Sequence, residues 1–367
     1  MNPKLQKNSI SEIFAWVLFI SCSFSIYGKD SANIPVYKIA FGSCLDQSLD
    51  KNIWIPIIKS RPDLWIWLGD NIYKDTIEMS EKKLAYDLQK SNEQYVRLRE
   101  KTKIIGTWDD HDFGANDVGS EYPMKKESKN LFLDFLDVQA NSPMRRHEGI
   151  FSSEQIIFDK MTIKIILLDT RTFRTELKVN PLPNLGGKEY IGNEDPNATI
   201  LGKEQWSWLE KELGEKSDLY IIVSSIQVLN DTHRFEKWSN FPKERTKLLT
   251  LLDKYAAKKT IILSGDRHIA EIFEENLPSG IEIADITSSS MNKPIPSRSM
   301  EREDSRRKSK IFAEENFGLL EISRQKKSIN IKLSIQGFSG PAILRSYLFP
   351  LADPDRSFEK QRKVKKR

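Results

Sequence analysis

The sequence predicts a mixed α/β protein in which two sheets pack face to face with helices outside, and three observations carry that reading. Strands and helices alternate through the first half, strands dominate the second, and four apolar runs stop at short clusters of Asp, Asn, His, Cys and Tyr. Alternation points to parallel strands joined by helices, while the strand-rich remainder needs a second layer to bury its apolar faces. Ligand sites of open α/β sheets collect at the carboxyl ends of strands, which is where the four clusters fall.

The elements follow in chain order. Val36 to Gly42 predicts a strand running into Cys44, then come a helical segment near Lys51 to Lys59, a break at Pro62 and the strand Leu64 to Leu68. Glu81 to Glu100 carries Leu84, Leu88, Tyr95 and Leu98 amid charges and predicts one surface helix, which leads to the strand Lys103 to Trp108. Asn130 to Val138 reads as a helix, and Ile150 to Phe158 with Thr162 to Leu168 as two strands joined at Asp159-Lys160. Lys178 to Thr199, rich in Pro, Asn and Gly, is a long loop before the helix Gly202 to Leu213. Leu219 to Ser225, Thr260 to Leu263 and Ile281 to Ile286 are short strands, with the helix Lys243 to Ala257 between the first two. Asn316 to Ser323 and Ser328 to Ile335 alternate as paired strands, after a charged, mobile-looking connection from Arg298 to Lys310. There is no internal repeat.

The 367 residues, 39% hydrophobic and 30% charged, fit neither a disordered chain nor a membrane bundle. Residues 1–29 read as an export signal, 36–350 as a single domain and 351–367 as a basic tail. Lys4 and Lys7 precede the apolar segment Ile13 to Ile20, which is too short to span a membrane. The run Leu18-Phe-Ile-Ser-Cys22 resembles a relaxed lipoprotein signal with Cys22 as the lipidated anchor; ordinary cleavage before about residue 30 is the other reading. Either way the mature protein works outside the cytoplasm, in the periplasm or anchored at the cell surface. The net charge of +5 comes largely from Lys360 to Arg367, a solvated tail, and no nucleic-acid-binding module is present. With Cys22 in the leader, Cys44 has no disulfide partner, and a lone thiol at a strand end beside a glycine points to a metal ligand.

The clusters are Gly42-Ser43-Cys44, Gly69-Asp70-Asn71-Ile72-Tyr73, Trp108-Asp109-Asp110-His111-Asp112 and Gly265-Asp266-Arg267-His268. One Gly-Asp alone is a turn; four strand ends of this kind are harder to explain that way. Three carboxylates around His111 concentrate negative charge that cations must offset. Two metals a few ångströms apart are a known solution to phosphate-ester hydrolysis, and Asp70 is the best bridging carboxylate. Tyr73 and Cys44 on one metal point to Fe(III), while the carboxylates suit Ca, Mn or Mg. Asp266 and His268 flank Arg267, so each can reach one metal. Asp109 or Asp110 is a further ligand, His111 a proton or hydrogen-bond donor to the ester, and Asn116 a ligand or phosphate contact.

These motifs, with Leu168-Asp169-Thr170-Arg171 and the segment Phe235 to Arg245, resemble the PhoD-like alkaline phosphatase and phosphodiesterase family over about Lys38 to Ser323. The resemblance implies a four-layer α-β-β-α metallophosphoesterase sandwich of two mixed sheets flanked by helices. It implies a monomer with an iron and calcium site that hydrolyses phosphomonoesters, phosphodiesters or both. Carried over, Cys44, Asp70, Tyr73 and His268 hold iron; Asp266, Asp109 or Asp110, and Asn116 serve the second metal, bridged through Asp70. Arg171 and Arg267 become phosphate contacts, with pairing to Asp169 as the other reading of Arg171. The leader lacks the twin arginines common in the family, which implies metal loading after secretion, and the first motif follows the leader with no N-terminal β-domain between. The rivals are a phosphodiesterase directed at lipid, polymer or nucleotide, and a non-catalytic surface lipoprotein that keeps the fold.

Overall fold

Leu64–Leu68 (LWIWL) is buried at every position, and its period of two sorts its side chains into two cores. Leu64, Ile66 and Leu68 face one side with Ile39, Phe41, Ile221 and Leu263; Trp65 and Trp67 face the other with Trp54, Tyr95 and Phe135. A strand so buried must lie inside a sheet covered on both faces. A computed structural model describes residues 34–183, 188–255 and 260–351 and shows how. The export signal with Cys22, and residues 352–367 of the basic tail, lie outside the described residues.

The first sheet runs β12 (Gly340–Pro350), β11 (Ser328–Gly337), β10 (Phe317–Gln325), β1 (Val36–Gly42), β2 (Leu64–Leu68), β3 (Lys103–Thr107). The second runs β4 (Ser152–Phe158), β5 (Met161–Leu167), β6 (Leu219–Val223), β7 (Thr260–Ser264), β9 (Glu282–Ser288), β8 (Ala270–Asn276). β1, β2 and β3 pair in parallel, with Gly42 opposite Trp67 and Leu68 opposite Thr107. β5, β6, β7 and β9 do likewise in the second sheet. Parallel neighbours carry their carboxyl ends to the same edge, so all four predicted clusters emerge together.

Helices α1 (Trp54–Ser60), α2 (Met79–Lys90), α3 (Glu93–Arg99) and α5 (Lys125–Phe135) lend apolar residues to the outer face of the first sheet; the single turn α4 (Asp110–Phe113) belongs to the site below. α6 (Gly202–Gly214) and α7 (Pro242–Tyr255) cover the second. Two mixed sheets between helical layers are the predicted sandwich. Trp54, Trp65 and Trp67 meet pairwise edge-on at 5.2 to 5.5 Å, and the Trp67 indole donates to Tyr95 Oη at 3.0 Å. Such pairs add about 0.5–1.5 kcal/mol each beyond burial and hold β2 rigidly where its last residue enters the site.

Several expectations need correction. The single helix over Glu81 to Glu100 is two, because Asn92 ends one and caps the next, accepting from the amides of Gln94 and Tyr95 at 3.1 Å. The helix expected at Asn130 starts at Lys125. β8 and β12 were not foreseen. β8 hides two glutamates by pairing, Glu271 with Arg307 and Glu274 with Arg345, while β12 is an edge strand that opens Gly-Pro. The mobile-looking stretch Arg298 to Lys310 is tied to the body by Arg307 to Glu271 and by Arg306 to Asp231. Removing the Asn92 cap in Asn92→Ala should cost about 1 kcal/mol, read as a lower urea midpoint with the circular dichroism of the folded state unchanged.

Candidate metal centre

The two sheets meet at the site. Ser43 and Ser289 form a parallel bridge beyond the ends of β1 and β9, and Gly265 after β7 comes so near that a Cβ would stand 2.6 Å from Ser43 Oγ. Gly69, at φ 107°, lets the β2 end close on Asp109; a Cβ there would meet that residue's Cβ at 2.6 Å. Beyond these glycines the chain turns left-handed at Cys44 (φ 58°), Asp70 (49°), Asp266 (67°) and His268 (57°). Such conformations are costly for residues other than glycine and cluster at functional sites.

Asp112 fixes one of these turns, that at Asp70. Its carboxylate accepts from the backbone amides of Asp109 (2.8 Å), Asn71 (2.9 Å) and Asp70 (3.2 Å), which ties the β2 end to the β3 end. The Lys82 ammonium, wholly buried, donates to the carbonyls of Lys74, His111 and Asp112 at 3.0 to 3.1 Å.

Four donor atoms then converge. Asp70 Oδ2 lies 3.3 Å from Cys44 Sγ and 3.0 Å from Tyr73 Oη, and Tyr73 Oη lies 3.2 Å from His268 Nε2. The His268 ring donates Nδ1–H to the Lys293 carbonyl, which can only accept, so Nε2 carries the lone pair toward the cluster. Burial pushes that imidazole down to about 4, neutral and ready as a ligand. Burial, then the charge of Asp70, pushes the Cys44 thiol and the Tyr73 hydroxyl well up; burial, then Asp110, does the same to Asp70. A cation among these atoms would offset the raised thiol, phenol and carboxyl and keep the imidazole neutral, and a sulfur, two oxygens and an imidazole are a donor set that fits a transition metal.

Asp70 belongs to a second set with Asp110 and His111, whose ligand atoms also lie within 4.8 Å of one another. Asp110 is held low because His111 and Arg171 outweigh its burial. His111 Nδ1 stands 2.6 Å from Asp75 Oδ1, and Asp110, Asp70 and Asp75 overcome burial to hold the ring up to about 11. Asp109 lies outside both sets: one oxygen takes Arg171 Nε and Ser225 Oγ at 2.6 Å each, and the other has no partner among the described residues. Asp266 lies beside the second set, pushed up to about 7 by burial and then by Asp110.

Three of the predicted contacts are engaged by protein groups in this structure. The Arg171 guanidinium is wholly buried between Asp109 and Glu236, neither facing the cluster nor pairing with Asp169, which instead accepts its backbone amide. Arg267 is buried against Glu301 and Phe235. Asn116 is exposed, its amide turned to Asp117 at 2.6 Å, although the next residue's amide bonds Asp110 at 2.7 Å. Sequence reasoning missed Asp75, Asp112, Ser289 and Glu236 as supports. Asp112 and Glu236 stand inside the quoted motifs and were findable; Ser289, which accepts the His268 amide at 2.7 Å and lies 3.1 Å from Cys44 Sγ, carried no signal.

Burial pushes Asp112 up to about 6 and Asp266 to about 7, and the acids around it hold His111 at about 11. His111 keeps across pH 6.5 to 8 a proton that the unfolded chain loses, and Asp266 does so toward the lower end, where the lowered His268 and His233 oppose them, so over this range the metal-free fold binds more protons than the unfolded chain. Its stability therefore falls as pH rises through that window, with Lys82 and Lys237, both lowered to about 8, opposing the fall toward its upper end. The melting temperature of metal-free protein should be lower at pH 8 than at 6.5, and added iron and calcium should remove the difference. A flat metal-free profile would contradict this charge balance.

The family profile of the PhoD-like phosphatases matches residues 40–333. Alkaline phosphatase D of Bacillus subtilis (strain 168) is 21% identical over 278 residues, 65% of this chain and 46% of that protein, so this chain spans under half of its relative's length. The solved structure of PhoD superposes with a TM-score of 0.69 at 16% identity, covering 92% of this chain and 79% of that one, and shares the fold. The chain belongs to the PhoD-like phosphatase family.

Proposed function

We propose that this chain is an exported, metal-dependent phosphoric-ester hydrolase of the alkaline phosphatase D type. The observation that carries it is the convergence of Cys44 Sγ, Asp70 Oδ2, Tyr73 Oη and His268 Nε2, with Asp70 shared by a second acidic set. Fe(III) suits the sulfur- and phenol-bearing set; Ca, or Mn or Mg, suits Asp70 and Asp110, with Asp266 and Asn116 at its margin. Bound there, the two cations supply a water nucleophile that is acidic near neutral pH and offset the charge of the phosphoryl oxygens.

The chain's own residues do the rest. Asp70 offers one oxygen to each set, which fixes their spacing. Asp75 engages His111 Nδ1 and orients the ring, which leaves Nε2 as the nitrogen that can donate to the leaving oxygen. Arg171 and Glu236 hold Asp109 in place beneath the site. Lys4, Lys7 and the apolar segment Ile13 to Ile20 support export, with Cys22 as an anchor to the cell surface or cleavage into the periplasm.

Purified chain supplied with Fe and Ca should hydrolyse p-nitrophenyl phosphate or its bis-ester. Loss on Asp70→Asn should exceed the roughly 10–100-fold typical of outer supports of a metal; full activity in that variant would sink the site. Cys44→Ser should weaken iron binding and remove any visible charge-transfer band, and an unchanged spectrum would return Cys44 to a packing role. His111→Asn separates proton donor from ligand: a donor's loss slows alkyl esters far more than p-nitrophenyl esters, whereas a ligand's loss lowers metal content.

A further inference from the structure

Beside the cluster, basic groups gather around Phe235. The Arg267 and Arg298 guanidinia stand over its ring at 4.7 and 4.2 Å, and Arg298 donates to the Arg267 carbonyl at 2.6 Å. Arg267 is fully buried and meets one carboxylate, Glu301, yet its Nε and one terminal nitrogen have no hydrogen-bond partner among the described residues. Lys237, 5% exposed, spends its ammonium on the Phe235 carbonyl at 3.1 Å and pairs with no carboxylate among the described residues. His233, 8% exposed, has both ring nitrogens unpartnered there; burial, then Arg267 and Lys237, keep it neutral.

Burying two cations, with Arg298 half-buried beside them, against one carboxylate is expensive, and each orphaned buried donor costs about 1–3 kcal/mol. One account is that the cations balance the acids of the metal centre, since Arg267 and Arg298 both act on Asp266. Cations loaded into that centre do the same work, so in the loaded protein the basic group has charge to spare. A neutral imidazole adds nothing to such a balance, and the single ring N–H of His233 and the two free nitrogens of Arg267 call for an acceptor.

We propose that His233, Lys237, Arg267 and Arg298 form an anion subsite that receives a second phosphoryl group of the substrate. The subsite rests on the hydrolase reading for its purpose and deepens it: the preferred substrate is an ester or diester that carries a further phosphate beside the scissile one. Nucleotides and polyol phosphates both offer that chemistry.

Titration calorimetry on the metal-reconstituted full chain tests this with two pairs of probes, thymidine 5′-phosphate against thymidine 3′,5′-bisphosphate, and propyl phosphate against propane-1,3-diol bisphosphate. The added phosphate should tighten binding by about tenfold in the pair whose spacing fits, which also separates the nucleotide source from the polyol source. Arg298→Gln and Lys237→Met, each verified as folded by circular dichroism, should cut that gain to below about threefold. No gain in either pair, or a gain that survives both substitutions, overturns the subsite. Turnover of p-nitrophenyl phosphate by the same sample is read separately, so failure of the hydrolase reading shows as bound ligand without hydrolysis.

Discussion

The centre depends on one carboxylate that is not itself among the predicted ligands. Asp112 accepts the amides of Asp70, Asn71 and Asp109, so it binds the ends of two parallel strands into one rigid corner. That corner holds Asp70 in a left-handed turn, which aims its two oxygens at different neighbours, Cys44 and Tyr73 on one side and the His111 amide on the other. Charge-assisted bonds to backbone amides are stronger than neutral ones, and three of them offset a strain of about 1–3 kcal/mol at such a residue. The aromatic group under Trp67 supplies the stiffness behind the corner, because β2 cannot shift without breaking those edge contacts.

Concentrated negative charge is the second constraint. Asp70, Asp109, Asp110 and Asp112 are all buried in one neighbourhood, with Asp266 beside them. The fold divides the load. Asp109 is neutralised by Arg171, which Glu236 holds from its other side, and Asp112 by backbone amides. Asp70, Asp110 and Asp266 are left for ions. Protein groups thus compensate the acids that build the site, while those that face its opening stay short of positive charge, which is the condition for binding a cation tightly.

Much of this was legible in the sequence, and the limits are physical. Cys44, Asp70, Tyr73 and His268 could be named because parallel strands bring their carboxyl ends to one edge, and a strand end is visible as an apolar run that stops at glycine. Asp109 and Asp110 could not be told apart, since the choice turns on a single helical turn in which Asp109 caps and Asp110 begins. The fate of Arg171 was hidden because its partner Glu236 is 65 residues away, on a loop whose path no local pattern reveals. β8 escaped because its glutamates look like surface residues until the arginines that pair with them are placed.

Cys44 shows how these constraints act together. Its thiol is buried, lies 3.1 Å from Ser289 Oγ, and is pushed well above its ordinary range by burial and by Asp70. Oxidation and disulfide exchange proceed through the thiolate, so the metal-free site keeps its sulfur in the unreactive form. The same negative surroundings that suppress the thiolate attract the ion that would stabilise it. A chain that takes up metal after export, as proposed, must cross an oxidising space with this sulfur intact, and the acids of the site protect it until they are themselves neutralised. Exposure of Cys44 by a wider pocket would remove the first safeguard, and loss of Asp70 would remove the second together with the bridge.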